Sequence, residues 1–182
     1  ASDSQHDRQT LRITPESDTA WTRTVQLAID AIRSGQLEKV VTARRVRLEA
    51  SRAFEASRIL SRLAHRYPTC LLIAINLDGR SVVSATPERL AALDNRTIHS
   101  DALGGTTGRA QDSRQDRQLT LRLLNCCKAQ HEHALVVDSI RSALTPLCDE
   151  LAPPAAPDVI KLRNLQHLWT GIRGTLQPGV SL

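Results

Sequence analysis

The sequence predicts an α/β (α+β) fold in which antiparallel sheets are flanked by helices. Three patterns indicate it: an early helical repeat of apolar residues, a central run of short strands separated by turn signals, and a long helical segment over 113–147. The chain has 182 residues, of which 41% are hydrophobic and 24% charged. These values suit one globular domain. Aromatic residues make up only 2%, which disfavours a protein that stacks unpaired bases on aromatic side chains.

The chain begins with a polar, aperiodic stretch over 1–17, which we interpret as a lead-in to a domain over 18–182. Apolar residues at helical spacing then predict a helix over 20–33, with Asp18 or Thr19 as its N-cap.

A strand is predicted next, over 39–48. In it Lys39 shares a face with Val41 and Ala43, so the lysine could face a pocket. A second helix, capped by Ser51, should end before Pro68, because the residue preceding proline avoids the helical conformation.

The remaining segments predict a strand meander, a glycine loop, helices and two final strands. Asp78-Gly79 is a hairpin turn signal, and the helical segment should break near Cys127 or Lys128. The predicted strands cover 70–76, 81–84, 89–93, 97–100, 159–164 and 167–172, and the loop covers 103–108.

The charged residues argue against a nucleic-acid partner. The net charge is +5, but the 24 Lys and Arg residues are scattered and form no single basic stripe. Only three of them are lysines, Lys39, Lys128 and Lys161. Lysine can lose its proton and act as a base, whereas arginine stays charged.

The sequence lacks a recognisable membrane segment, signal-peptide core and Cys-x-x-Cys spacing, and we therefore expect a cytoplasmic protein. No apolar run approaches the ~20 residues that a membrane-spanning helix needs, and the start lacks a signal-peptide core. The four cysteines lack Cys-x-x-Cys spacing, which favours reduced thiols.

The candidate chemical groups are ambiguous when each is taken alone. His131 and His133 would point about 200° apart on a helix and cannot chelate one ion together. Glu132 could pair with Lys128 on a solvated face or act as a single carboxylate ligand of Mg²⁺.

Two turns and a strand histidine have similarly ordinary alternatives. Glu88, after Thr86-Pro87, could be a pocket acid or part of a surface turn. Gly105 and Thr106 could bind an anion or form a plain hairpin connection. His167 could be a satisfied core residue rather than part of a site.

Taken together, the order of these motifs resembles that of the chorismate-utilising enzymes, and within them the isochorismate synthases, which are related to anthranilate synthase component I. The similarity runs from Trp21 to about Gly174. It is carried, in order, by Gly35-x-Leu37-x-Lys39-Val40-Val41-x-Ala43-Arg44, Ala85-Thr86-Pro87-Glu88-Arg89-Leu90, Leu103-Gly104-Gly105-Thr106, Asp116 followed by Lys128 and His131-Glu132-His133, and Asn164-Leu165-Gln166-His167-Leu168.

The resemblance implies a role for each matching residue. Lys39 would be the general base that activates water for attack on C2 of chorismate, and Glu88 would be the general acid for the departing C4 hydroxyl. Glu132 would be a ligand of Mg²⁺. The substrate-binding residues would be Gly105, Thr106 and His167.

The same motifs separate this chain from other relatives. Aminodeoxychorismate synthases carry a lysine where this chain has Gly104, and anthranilate synthases lack the lysine that Lys39 matches. Both differences favour water as the nucleophile. Salicylate synthase remains an alternative because it shares the lysine and adds pyruvate elimination.

The length of the chain bears on whether it acts alone. Family domains resemble this chain over their first two-thirds and then continue through a His-Pro-Thr-Pro motif, a substrate-binding arginine and a second metal-ligating glutamate. We therefore expect a fold incomplete at the C-terminal side and a chain inactive by itself. A non-catalytic remnant or binding module is the other alternative, and the sequence leaves the oligomeric state open.

Overall fold

The computed structural model describes residues 11–15 and 17–181. The chain divides into two compact units, Ala1–Glu55 and Ala56–Leu182. Both contain helices and antiparallel strands, which confirms the predicted fold class. Among the described residues, none of the helices combines the length and the apolar character that crossing a membrane requires.

The first unit contains a helix and a two-stranded sheet. Strand β1 (Leu11–Pro15) pairs antiparallel with β2 (Val46–Ala50), and helix α1 (Asp18–Arg33) lies between them in sequence. The Ser17 hydroxyl accepts a hydrogen bond from the Ala20 amide at 3.1 Å, so Ser17 is the N-cap rather than the predicted Asp18 or Thr19.

The strand predicted over 39–48 is shorter than expected. Residues 39–45 have no regular secondary structure, and the strand begins only at Val46. The reason is the partner: the ladder with β1 runs to Pro15, which stands opposite Val46, and Ser17 already caps helix α1. Lys39 therefore lies on an irregular segment.

Strand β1 lies within the segment interpreted as a lead-in. Its residues Leu11–Pro15 belong to the sheet of the first unit, whereas residues 1–10 and 16 of that segment lie outside the described residues.

The second unit begins with a helix and a hairpin. Helix α2 (Ala56–Arg66) starts five residues after the predicted cap Ser51 and stops before Pro68, as expected. It packs against the antiparallel strands β3 (Leu71–Leu77) and β4 (Arg80–Thr86). The predicted Asp78-Gly79 turn is confirmed, with φ angles of 49° and 74°.

A five-stranded antiparallel sheet and two helices form the rest of this unit. The central strands β6 and β9 pair over almost their whole length, β5 flanks β6, and β7 and β8 both pair with β9. These elements are β5 (Ala92–Asp94), β6 (Thr97–Gly108), α3 (Ser113–Leu124), α4 (Cys127–Leu144), β7 (Cys148–Leu151), β8 (Asp158–Lys161) and β9 (Leu165–Leu176), with one 3-10 turn at Thr145–Leu147.

One face of this sheet carries the core. Alternate residues of β6 and β9 point toward α3 and α4 and are almost fully buried. The break between the two helices falls at Asn125 and Cys126, close to the predicted position. The buried apolar residues of the two central strands are Ile98, Ala102, Leu168, Ile172 and Leu176.

The loop predicted over 103–108 is wrong, because these residues continue strand β6. Strand β9 runs alongside them and supplies hydrogen-bonding partners as far as Leu165, opposite Gly108. The glycines are accommodated by a shift of register between Gly104 and Thr106 rather than by a loop.

Candidate functional site

Two adjacent glycines allow helix α4 to lie close against β6. A Cβ atom on Gly104 would be 3.0 Å from the Cα atom of His133, and one on Gly105 would be 3.0 Å from the Cβ atom of Ala129. Gly105 also has a φ of +67°, which favours glycine. A larger residue at either position would push the helix away from the strand.

The bulge at Gly105 brings Thr106 opposite His167. The Thr106 hydroxyl lies 2.8 Å from Nδ1 of the His167 imidazole, within hydrogen-bond distance. Because the neighbours of His167 on β9 point into the core, the imidazole lies on the opposite face of the sheet, where it is half-buried.

The surroundings of His167 favour its neutral form. Burial lowers the pKa of the imidazole, while a hydrogen bond with the Gly105 backbone and the charge of Glu88 act in the opposite direction. Burial has the larger effect, so the pKa of His167 lies below its ordinary value.

Glu88 reaches the same region from the connection between β4 and β5. Its amide donates a hydrogen bond to the Thr86 hydroxyl at 3.2 Å, an arrangement that holds the turn. Its Oε1 atom accepts a hydrogen bond from the Leu103 amide of β6 at 3.3 Å. The residue is exposed, so its carboxyl group is accessible from solvent.

The structure thus brings four of the predicted site residues together on one part of the sheet: Glu88, Gly105, Thr106 and His167. Lys39, half-buried, belongs to the first unit.

Glu132 lies on α4 and forms the expected pair with Lys128. Its carboxylate is half-buried and lies 3.8 Å from the Lys128 ammonium one helical turn away. As the helical geometry requires, the flanking histidines differ: His131 is exposed, whereas His133 is buried and its Nε2 lies 2.8 Å from the Thr170 hydroxyl. The two histidines therefore cannot bind one metal ion together.

Glu132 is the residue that was predicted to bind Mg²⁺. A half-buried carboxylate such as Glu132 is a hard oxygen ligand of the kind that Mg²⁺ accepts. Across residues 11–15 and 17–181, no three His, Cys, Asp or Glu side chains are grouped so that they could hold a metal. The described residues therefore fit Mg²⁺ through one carboxylate.

Two polar contacts near the site were not predicted. Trp169 donates its indole N–H to Asp101 at 2.9 Å, on the same face of the sheet as His167. On the other face, Gln166 is fully buried and hydrogen-bonded to Thr120 at 2.7 Å. The signal for Gln166 was available, because it is a polar residue at a core position in the alternation of β9.

The whole chain matches one known family. The sequence profile described as chorismate binding enzyme covers residues 1–182. Isochorismate synthase MenF of Bacillus subtilis is 32% identical over 179 residues, a match that covers 98% of this chain and 38% of that protein. The chain thus spans about two fifths of the length of the curated relatives it matches.

Solved structures agree with the sequence matches. The menaquinone-specific isochorismate synthase MenF from Escherichia coli superimposes with a TM-score of 0.82 at 29% identity, over 93% of this chain and 39% of that chain. Anthranilate synthase component I from Streptococcus pneumoniae has a TM-score of 0.77 at 20% identity, over 94% and 38% of the two chains. The latter likeness concerns the fold alone.

Proposed function

This chain belongs to the chorismate binding enzyme family, and on that premise we propose that it forms part of an isochorismate synthase. The reaction would be the Mg²⁺-dependent isomerisation of chorismate to isochorismate. The observation that carries the proposal is the grouping of Glu88, Gly105, Thr106 and His167 on one part of the sheet. The similarity to isochorismate synthases supports it.

In the proposed reaction, water adds to C2 of the substrate ring while the hydroxyl group leaves C4. Lys39 accepts the proton that the attacking water loses, and Glu88 donates the proton that the departing hydroxide gains. The ring double bonds shift between these carbons, so one water is consumed and one is released. The contact between Glu88 and the Leu103 amide supports this role, because it ties the carboxyl group to the strand that bears Gly105 and Thr106.

The remaining residues would bind and orient the substrate. A neutral His167, held by Thr106, can form a hydrogen bond with the substrate without placing a positive charge beside it. Glu132 would hold Mg²⁺, which supplies charge neutralisation for the ring carboxylate. The net charge of +5 favours the approach of a dianionic substrate. The absence of Cys-x-x-Cys spacing supports a cytoplasmic location.

The proposal can be tested in a chimera in which residues 1–182 replace the matching segment of the Bacillus subtilis relative. We expect the purified chimera to convert chorismate to isochorismate in the presence of Mg²⁺, with product identified by chromatography. Lys39→Ala should lower kcat by about 10² or more, the scale of a lost general base. Arg47→Ala, which removes an exposed cation of the same unit, is the matched control.

The products distinguish the alternatives. Release of salicylate and pyruvate would indicate a salicylate synthase. A folded chimera that leaves chorismate unchanged would favour a non-catalytic remnant or binding module. Equal turnover by the parent chimera and its Lys39→Ala variant would refute the assignment of the base.

A further inference from the structure

Gln166 is the one fully buried amide side chain among the described residues, and it directly precedes His167 in β9. Its Nε2 atom donates a hydrogen bond to the Gly108 carbonyl at 3.0 Å, and its Oε1 atom accepts one from the Thr120 hydroxyl at 2.7 Å. This is the shorter of the two contacts of that hydroxyl, which also lies 3.0 Å from the Asp116 carbonyl. An isolated amide would be costly at this depth. Here both ends of the side chain have a partner.

These two hydrogen bonds lie beside the Thr106–His167 pair. In the β6–β9 ladder, Gln166 stands opposite Thr107, the residue after Thr106. The bond to the Gly108 carbonyl therefore joins β9 just before His167 to β6 just after Thr106. Since successive strand residues point to opposite faces, a fixed Gln166 side chain also directs the next side chain, His167, to the other face.

Helix α3, whose Thr120 is hydrogen-bonded to Gln166, is itself anchored to the same end of the sheet. One turn before Thr120, the buried Asp116 accepts hydrogen bonds from Arg109 at 2.7 Å and from Lys161 at 2.9 Å. These two cations hold the pKa of the Asp116 carboxyl well below its usual range. Arg109 directly follows β6 and Lys161 ends β8, so helix α3 is connected to both strands near the pair.

We propose that Gln166 is a positioning residue, which acts with Thr120 to hold Thr106 and His167 in hydrogen-bond contact. The hydrogen bond between Thr120 and Gln166 on the core face thereby fixes the geometry of the Thr106–His167 pair on the opposite face. The importance of this pair for catalysis rests on the proposed function, whereas the positioning itself is a property of this chain.

The test is the state of the His167 ring, measured by ¹⁵N NMR on the isolated 182-residue chain. Thr120→Val keeps the shape of the side chain and removes the hydroxyl that bonds to Gln166. We expect it to change the ring ¹⁵N shifts of His167 to an extent comparable with Thr106→Val, which removes the partner directly. Thr120→Ser retains the hydroxyl and should restore the parent spectrum.

Two further variants separate positioning from general loosening of the core. Ile172→Val removes one buried methylene group from the same face of β9, farther along the strand, and should leave the His167 signals unchanged. Thr120→Ala removes the same hydroxyl with a different change of volume, and should agree with Thr120→Val. If the His167 shifts of Thr120→Val and Thr120→Ala remain as in the parent, the proposal is wrong, whether or not the variants are less stable.

The outcome is independent of the proposed reaction. An inactive chimera would refute the proposed function while the NMR result still stood. Conversely, an active chimera with unchanged His167 shifts in Thr120→Val would refute the positioning role alone.

Discussion

The two faces of strands β6 and β9 differ sharply although they are formed by alternate residues of the same segments. The face toward α3 and α4 contains Ala102 and Leu168, both with no exposed surface. The opposite face carries Thr106, which is exposed, and the half-buried His167 and Trp169.

This contrast assigns most of the stability to one face and the proposed roles of Thr106 and His167 to the other. Burial of apolar side chains against helices supplies the main stabilising free energy, while polar groups that must meet a substrate need access to solvent. Three polar residues of these strands also lie on the core face, Ser100, Gln166 and Thr170, and Gln166 is the most deeply buried of them.

The largest effect is expected for Leu168→Ala on the core face. Leu168 is fully buried among Leu123 and Ala129, and its truncation should lower the free energy of unfolding by about 3 kcal/mol through lost burial and a residual cavity. Urea unfolding followed by circular dichroism measures it. Arg173→Ala, an exposed residue of the same strand on the other face, should change stability by less than about 0.5 kcal/mol. Equal losses in the two variants would contradict the division of the faces.

A smaller effect is expected for Gly105→Ala, where the two faces meet. The added methyl group would lie 3.0 Å from Ala129, and alanine is strained at a φ of +67°. We expect a loss of about 2 kcal/mol in the free energy of unfolding, together with altered His167 signals because the bulge places Thr106. Gly108→Ala has open space around the new methyl group and is the matched control. If Gly105→Ala is as stable as the parent and has parent-like His167 signals, the bulge does not determine the position of Thr106.

The smallest effect concerns the pH response of the open face. Because burial lowers the pKa of His167 below 6.5, the unfolded chain binds this proton more readily, and stability falls as the pH decreases from 6.5 toward the folded pKa. Glu88 raises that pKa, so Glu88→Gln should move the His167 titration midpoint further down. NMR titration measures the midpoint. An upward shift would show that Glu88 does not act on His167 through its charge.

Much of the fold could be predicted because local patterns were strong. The helix of the first unit, the Asp78-Gly79 turn and the break between α3 and α4 all follow from periodicity and turn residues. The failures concern segments whose state depends on a distant partner. Residues 39–45 have the pattern of a strand but pair with no strand among residues 11–15 and 17–181, and residues 103–108 have the pattern of a loop but lie beside β9.

The candidate site divides in the same way. The resemblance in motif order predicts Glu88, Gly105, Thr106, His167, Glu132 and Lys39 as its members. The contact between Thr106 and His167 depends on a bulge and a strand register that join residues 61 positions apart. Local sequence contains no information on which residue will stand opposite another across such a distance.

The sequence by itself determined the fold class, the family and the chemical character of the candidate groups, because residue type and local periodicity are properties of the chain. Only the tertiary structure decided which face each group occupies and which partner it has. Lys39 belongs to an irregular segment, His133 is buried while His131 is exposed, and Gln166 holds two strands and a helix together. The physical reason is that burial and hydrogen bonding are set by neighbours that only the folded chain brings close.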